Sequence, residues 1–274
     1  MGKDKLSSDE PYASINAYAM AVWLGPGPDL IEAELETLEK LQEPLADSAA
    51  YLWVQRFLMI AKAVQTTKIK GTTAQAKAGK IKKLVLRRGK PIQLPVTIVA
   101  GGCDSSVEEQ MQSYRQVLFT AFSSYRGTVI SGGTKEGISG IVGDLGEKYP
   151  DSLYTIGYLP GLIPDDSAVD SRYRELNKTD GSDFSPLESL QYWIDIIASG
   201  YSPAEVKLLG INGGNIAAAE FTIALALGAA VGLIADSGRE ADRLLADKKW
   251  NRLQNLFNLP ADAAKIKAFI DSKS

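Results

Sequence analysis

The residues best suited to chemistry in this chain are glycines at the ends of apolar runs. Four such runs close on Gly101-Gly102, Gly132-Gly133-Thr134-Lys135, Asn212-Gly213-Gly214-Asn215 and Ser237-Gly238-Arg239. Glycine tolerates positive φ and leaves the neighbouring N–H groups open to a ligand. A helix starting there adds unsatisfied N–H donors and a positive partial charge. The combination holds anions, phosphates above all. Neither standard nucleotide fingerprint is present: no GxGxxG follows the first strand, and GK[ST] occurs nowhere. The expectation therefore rests on two matched strand-Gly-Gly-helix turns, after TVIS and after EVKLLGI.

Other side chains can complete such a site. Helix dipoles contribute about 0.3–1 kcal/mol per anion, up to ~2 when partly buried, so a diphosphate should also recruit an arginine, ideally with two parallel hydrogen bonds. Arg172, Arg174 and Arg239 are the candidates. Glu220 stands in an otherwise apolar helix, where a buried carboxylate needs a partner. It would bind ribose hydroxyls, act as a base on water at a glycosidic carbon, or pair with a structural Arg or Lys. Tyr173 and Phe184 would stack on an adenine or join the core. Asp104, Asp180 and Asp183 would serve a metal ion or ribose, or cap helices and turns. Gly137, Gly140 and Gly143 lie inside a helix, where each costs about 1 kcal/mol against alanine; close packing or ligand approach is the expected reason.

What is missing narrows the chemistry further. The chain has no histidine, which removes Ser-His-Asp and Cys-His nucleophiles and argues against catalytic zinc. No metal is expected. Cys103, the single cysteine, follows the first strand and reads as a small packing residue; a lone cysteine makes no internal disulfide and fits a reducing, cytoplasmic setting.

The elements that would position these groups alternate. PVTIVA, TVIS, LYTIGYLP, EVKLLGI and AAVGLIA are short apolar strands, each followed by helical sequence. Continuous apolar runs are expected when both faces of a sheet are covered. The predicted fold is α/β, a Rossmann-like doubly wound, mostly parallel sheet over 92–247. Residues 1–90 read as a helical N-terminal region ending in a basic linker, and 248–274 as a C-terminal helical tail. With 274 residues, 45% of them hydrophobic, the chain can bury a large core.

Net charge is −3, but the stretch from Thr66 to Lys90 carries nine Lys/Arg and no acid, leaving −12 on the rest. No aromatic interleaves there for base stacking, so nucleic acid is not an expected partner. Ala217 to Ala235 is apolar but contains Glu220 and two glycines; a helix running into a buried strand accounts for it better than a membrane span. No secretory signal is visible at the N-terminus.

These residues together resemble a family. "SGGT..GI.G.VG" and "GINGG......E......LGA.VGLI..SGR" are similar to the SLOG superfamily, the Rossmann-like domains of Smf/DprA proteins, LOG enzymes and the cytosolic N-termini of TRPM channels. The stretch from Asp170 to Asp195, with Arg172-Tyr173, Thr179 to Leu187, Glu188 and Tyr192-Trp193, is similar to the prokaryotic TRPM-like branch. The likeness spans about Pro95 to Leu245. It implies a cytosolic sensor of a phosphorylated, NAD-derived nucleotide such as ADP-ribose or cyclic ADP-ribose. A homo-oligomer and a separate effector in a signalling or defence system would go with that role. LOG enzymes instead cleave nucleoside monophosphates and carry PGGxGTxxE; Gly213, Gly214 and Glu220 match it, whereas Asn212, Ile216 and Ala217 replace its Pro, Gly and Thr. The turns, the candidate side chains and the resemblance together give an expected ligand site of Gly101, Gly102, Gly132, Gly133, Thr134, Lys135, Arg172, Tyr173, Asp183, Asn212 to Asn215, Glu220 and Arg239, with Glu220 catalytic in the hydrolase alternative.

Overall fold

The computed structural model describes residues 89–272 except Asp104 and Lys249. The helices and basic linker expected before residue 89, and Asp104, lie outside the described residues. Seven strands form one all-parallel sheet: β1 (Val96–Gly101), β2 (Gly127–Ser131), β3 (Leu153–Leu159), β4 (Glu175–Lys178), β5 (Val206–Ile211), β6 (Ala230–Ile234) and β7 (Leu256–Leu259). Their order is β4-β3-β2-β1-β5-β6-β7. The chain winds outward from β1 to β4, returns to the other side of β1 as β5, and winds outward again. Chain direction across the sheet therefore reverses between β1 and β5, where ligands of open α/β sheets bind.

Helices cover both faces. On one side are α1 (Glu108–Ser113), α2 (Arg115–Phe122), α3 (Gly137–Lys148) and α7 (Ala263–Asp271); on the other are α4 (Pro186–Ala198), α5 (Asn215–Leu227) and α6 (Arg239–Ala246). Successive strand residues point to opposite faces, so Ile98 and Leu208 enter the α4–α6 core while their neighbours Val99 and Leu209 enter the other. β1 and β5 pair along their whole length, Val96 opposite Val206 through Gly101 opposite Ile211. Covered on both faces, these two inner strands are mostly apolar, with Thr97 and Lys207 as their polar members.

Two strands depart from the sequence reading. Glu175–Lys178 pairs with β3, although ELNK is polar; as an edge strand it has one neighbour and buries only Asn177. Leu256–Leu259 pairs with β6, and Ile266, Phe269 and Ile270 of α7 enter the core. The segment after 247 is therefore a strand and a helix built into the sheet, not a helical tail. The apolar run from Ala217 divides as expected: α5 stops at Gly228, at φ 94°, and β6 follows. No described helix is long and apolar enough to cross a membrane.

Candidate functional site

At the reversal the β1 and β5 turns lock together. The Gly102 N–H donates to Ile211 O at 3.2 Å, and Ile138 N–H at the start of α3 donates to Gly102 O at 3.0 Å. Asn212, buried and at φ 60°, fixes the β5 turn to the β6 turn. Its N–H donates to Ser237 Oγ at 2.8 Å, its amide NH2 donates to Ser237 O at 2.6 Å, and its Oδ1 accepts from Gly213 N–H at 2.8 Å. Asn212 is thus a positioning residue whose polar atoms are satisfied by protein.

Gly213 then turns the chain at φ 95°, and Gly214 starts α5 with no side-chain cap. A side chain at Gly214 would project into open space, with no atom within 4 Å. Asn215 beside it is exposed. This helix end keeps its donors directed outward.

Glu220 lies a turn and a half into α5 and is partly buried. The Tyr192 hydroxyl of α4 donates to its Oε1 at 3.3 Å. Burial raises its carboxyl to about 8, the Tyr192 hydrogen bond opposes the rise, and the neighbouring Glu188 carboxylate adds to it. Glu188 is itself held above the usual carboxylate range by burial. It accepts from Thr179 Oγ1 at 2.6 Å and from Ser185 N–H at 2.8 Å, closing the capping box of α4. The thiol of Cys103, just past β1, is pushed up to about 11, by burial above all, with the charges of Glu220 and Glu136 adding to the rise.

Arg239, at φ 50° and exposed, begins α6; its Nη2 donates to Ser106 Oγ at 2.8 Å, bringing a guanidinium from the β6 turn to the β1 turn. The structure therefore gathers Gly101, Gly102, Asn212, Gly213, Gly214, Asn215, Glu220 and Arg239 at one edge.

The β2 turn is built differently. Thr134 N–H donates to Ser139 Oγ at 2.9 Å, Lys135 N–H to Ala168 O at 2.9 Å, and Gly133 O accepts from Asp170 N–H at 2.9 Å. Thr134 is buried and bridges Val169. At the start of α3, Gly137 N–H donates to Glu108 Oε2 at 2.6 Å. The phosphate cradle expected at Thr134 and Lys135 is thus occupied by protein groups.

The crossing segment also removes Arg172 and Tyr173 from the expected site. The Arg172 Nε and Nη2 donate to the two oxygens of fully buried Asp170 at 2.8 and 2.7 Å, and Nη1 pairs with Asp144. Gly143 is required here, because a β-carbon would collide with the Asp170 carboxylate. Tyr173 is buried beneath α3, its hydroxyl donating to Ser139 O at 2.7 Å. Arg174 sits at the opposite edge, before β4, bonded to Pro150 O. Asp183 is exposed and accepts from Phe184 N–H at 2.6 Å, an ordinary turn contact. Among the described residues no three Cys, Asp or Glu side chains converge as metal ligands.

Tyr192 and Glu188, named in the sequence only within the stretch from Asp170 to Asp195, are buried and act on Glu220. Only Glu188 carried a local signal, the Ser185-Pro186-Leu187-Glu188 capping pattern.

No protein-family model matches the chain, and no curated protein does. Similar solved structures include the molybdenum cofactor carrier protein MCP from Chlamydomonas reinhardtii, 19% identical, with a TM-score of 0.48 over 64% of this chain and 95% of that one. A second structure of the Moco carrier protein from that organism is 17% identical, TM-score 0.42, over 64% and 94%. TM1055 is 21% identical, TM-score 0.42, over 62% and 94%. Resemblances of this size assign no ligand to the chain.

Proposed function

We propose that this protein binds a phosphorylated nucleotide of the ADP-ribose or cyclic ADP-ribose type at the sheet edge where chain direction reverses between β1 and β5. The observation that carries the reading is the uncapped start of α5 at Gly213-Gly214-Asn215 beside a carboxyl raised to about 8. A carboxylate a turn and a half from the helix end would repel a phosphate. Held largely protonated at neutral pH, Glu220 instead donates a hydrogen bond to a phosphate or ribose oxygen. Arg239 supplies a nearby positive charge. The SLOG resemblance points to the same ligand class, and to a cytoplasmic, oligomeric sensor that passes binding on to a separate effector.

The decisive experiment is calorimetric titration of ADP-ribose, cyclic ADP-ribose, NAD and AMP into the full chain, with Glu220→Ala alongside. Saturable, stoichiometric heat for an ADP-ribose-type ligand recovered intact is the expected result. Flat traces for all four would overturn the proposal.

The same carboxyl favours one alternative. A neutral acid beside a bound nucleoside monophosphate can protonate the departing base while water adds to C1′, giving ribose 5-phosphate and free base. Release of adenine from AMP, lost in Glu220→Ala, would replace sensing with hydrolysis.

A further inference from the structure

At the opposite edge of the sheet, away from the glycine turns, a groove of about 670 Å³ opens between the start of β5 and the end of α7. Its lining includes Tyr125 and Ile270 as apolar walls, together with Arg126, Glu205, Lys207 and Asp271. Lys207 on β5 is 6% exposed. Among the described residues its ammonium has no hydrogen bond and no ion pair, and it stands 5.9 Å from the centre of the Phe269 ring. Three of the other lining groups have protein partners. Glu205 Oε2 accepts from Ser202 N–H at 2.8 Å, Asp271 pairs with Lys267, and the Tyr125 hydroxyl accepts from Thr97 Oγ1 at 3.0 Å.

An uncompensated cation in this position is costly, and it lines an open groove rather than a sealed core. We infer that this groove is a second binding site, which takes a small monocarboxylate with an apolar body, the carboxylate on Lys207 and Arg126 and the body against Tyr125 and Ile270. A phosphate fits less well, because its extra charge faces Glu205 and Asp271 at the same groove. Burial also lowers the Lys207 pKa, in keeping with a charge that lacks its counter-ion.

The test titrates hexanoate, hexanol and inorganic phosphate into the full chain and into Lys207→Met and Lys207→Arg. Hexanoate should bind at one saturable site, with phosphate and hexanol roughly tenfold weaker or worse. Lys207→Met should weaken hexanoate by roughly tenfold to a hundredfold, and Lys207→Arg should retain most of the affinity. Unchanged hexanoate binding in Lys207→Met, or no saturable binding to the unmodified protein, would overturn the site. A second arm needs no variant: acetic anhydride at neutral pH should label Lys207, read by mass spectrometry, and hexanoate should protect it. Labelling unaffected by saturating hexanoate would also overturn it.

Discussion

After β2 and after β5 the chain makes the same local move: an apolar strand, two glycines, a small polar residue and a helix. The outcomes are opposite. At Gly132-Gly133-Thr134 the segment Ala168–Arg172 lies across the turn, Ser139 and Ala168 accept from its N–H groups, and Gly133 abuts Leu176 and Gly157. At Gly213-Gly214-Asn215 the start of α6 donates to Gly213 O, but no atom lies within 4 Å of a β-carbon at Gly214, and α5 begins without a side-chain cap. One turn is a packing joint and the other an open helix end. The difference teaches that a strand-Gly-Gly-helix pattern specifies backbone shape, while neighbours far away in sequence decide whether its donors face a ligand.

The comparison breaks most severely if the crossing segment is released. Asp170→Ala removes a fully buried carboxylate and leaves Arg172 with one acidic partner. We expect a loss of about 3 kcal/mol by chemical denaturation; a loss under about 1 kcal/mol would mean that the pair does not hold the β2 turn shut. Next in size is Gly133→Ala. Its φ of 78° and the Leu176 methyl 3.1 Å from the new β-carbon predict a loss of about 1–3 kcal/mol.

The open end is probed through Glu220. An ordinary glutamate value of 4.5 becomes about 8 in the folded protein, so folding takes up a proton across that interval. Stability contributed by this group is highest below pH 4.5, falls as pH rises through the interval, and reaches its minimum above about 8. Glu220→Gln, which cannot ionise, should therefore gain stability relative to the parent across the same range, by up to about 5 kcal/mol. Anion affinity of the parent should fall as pH passes about 8, and that of Glu220→Gln should not. Parallel pH–stability curves for the two proteins would remove the basis for a neutral Glu220.

The smallest effect on stability is expected where the turn is open. Gly214 has φ −95° and free space at its β-carbon position, so Gly214→Ala should change stability by less than about 0.5 kcal/mol. The methyl would stand at the mouth of α5, and binding of an ADP-ribose-type ligand should weaken about tenfold or more. A large stability loss here, as in Gly133→Ala, would erase the distinction between the two turns.

Much of this architecture follows from local sequence. The five apolar strands announce themselves as continuous hydrophobic runs because both of their faces are covered. β4 and β7 gave no such signal: each is a four-residue edge strand, shielded on fewer sides and correspondingly polar or exposed. The positions of Gly213, Gly214 and Glu220 were likewise legible, since spacing along one turn and one helix is a local property.

What only the tertiary structure decided is which charges are used inside the protein. Arg172 and Arg239 look equivalent as text, two arginines near predicted turns. Asp170 and Asp144 take the first into an ion-pair cluster beneath α3, while α6 carries the second to the β1 turn. Glu220 is an ordinary glutamate until Tyr192 and Glu188, about thirty residues earlier in the chain, close around it. Sequence determines strand, turn and helix because those depend on neighbours within a few residues. Protonation, pairing and access depend on whatever the fold brings within a few ångströms, and that is set by the winding of the sheet.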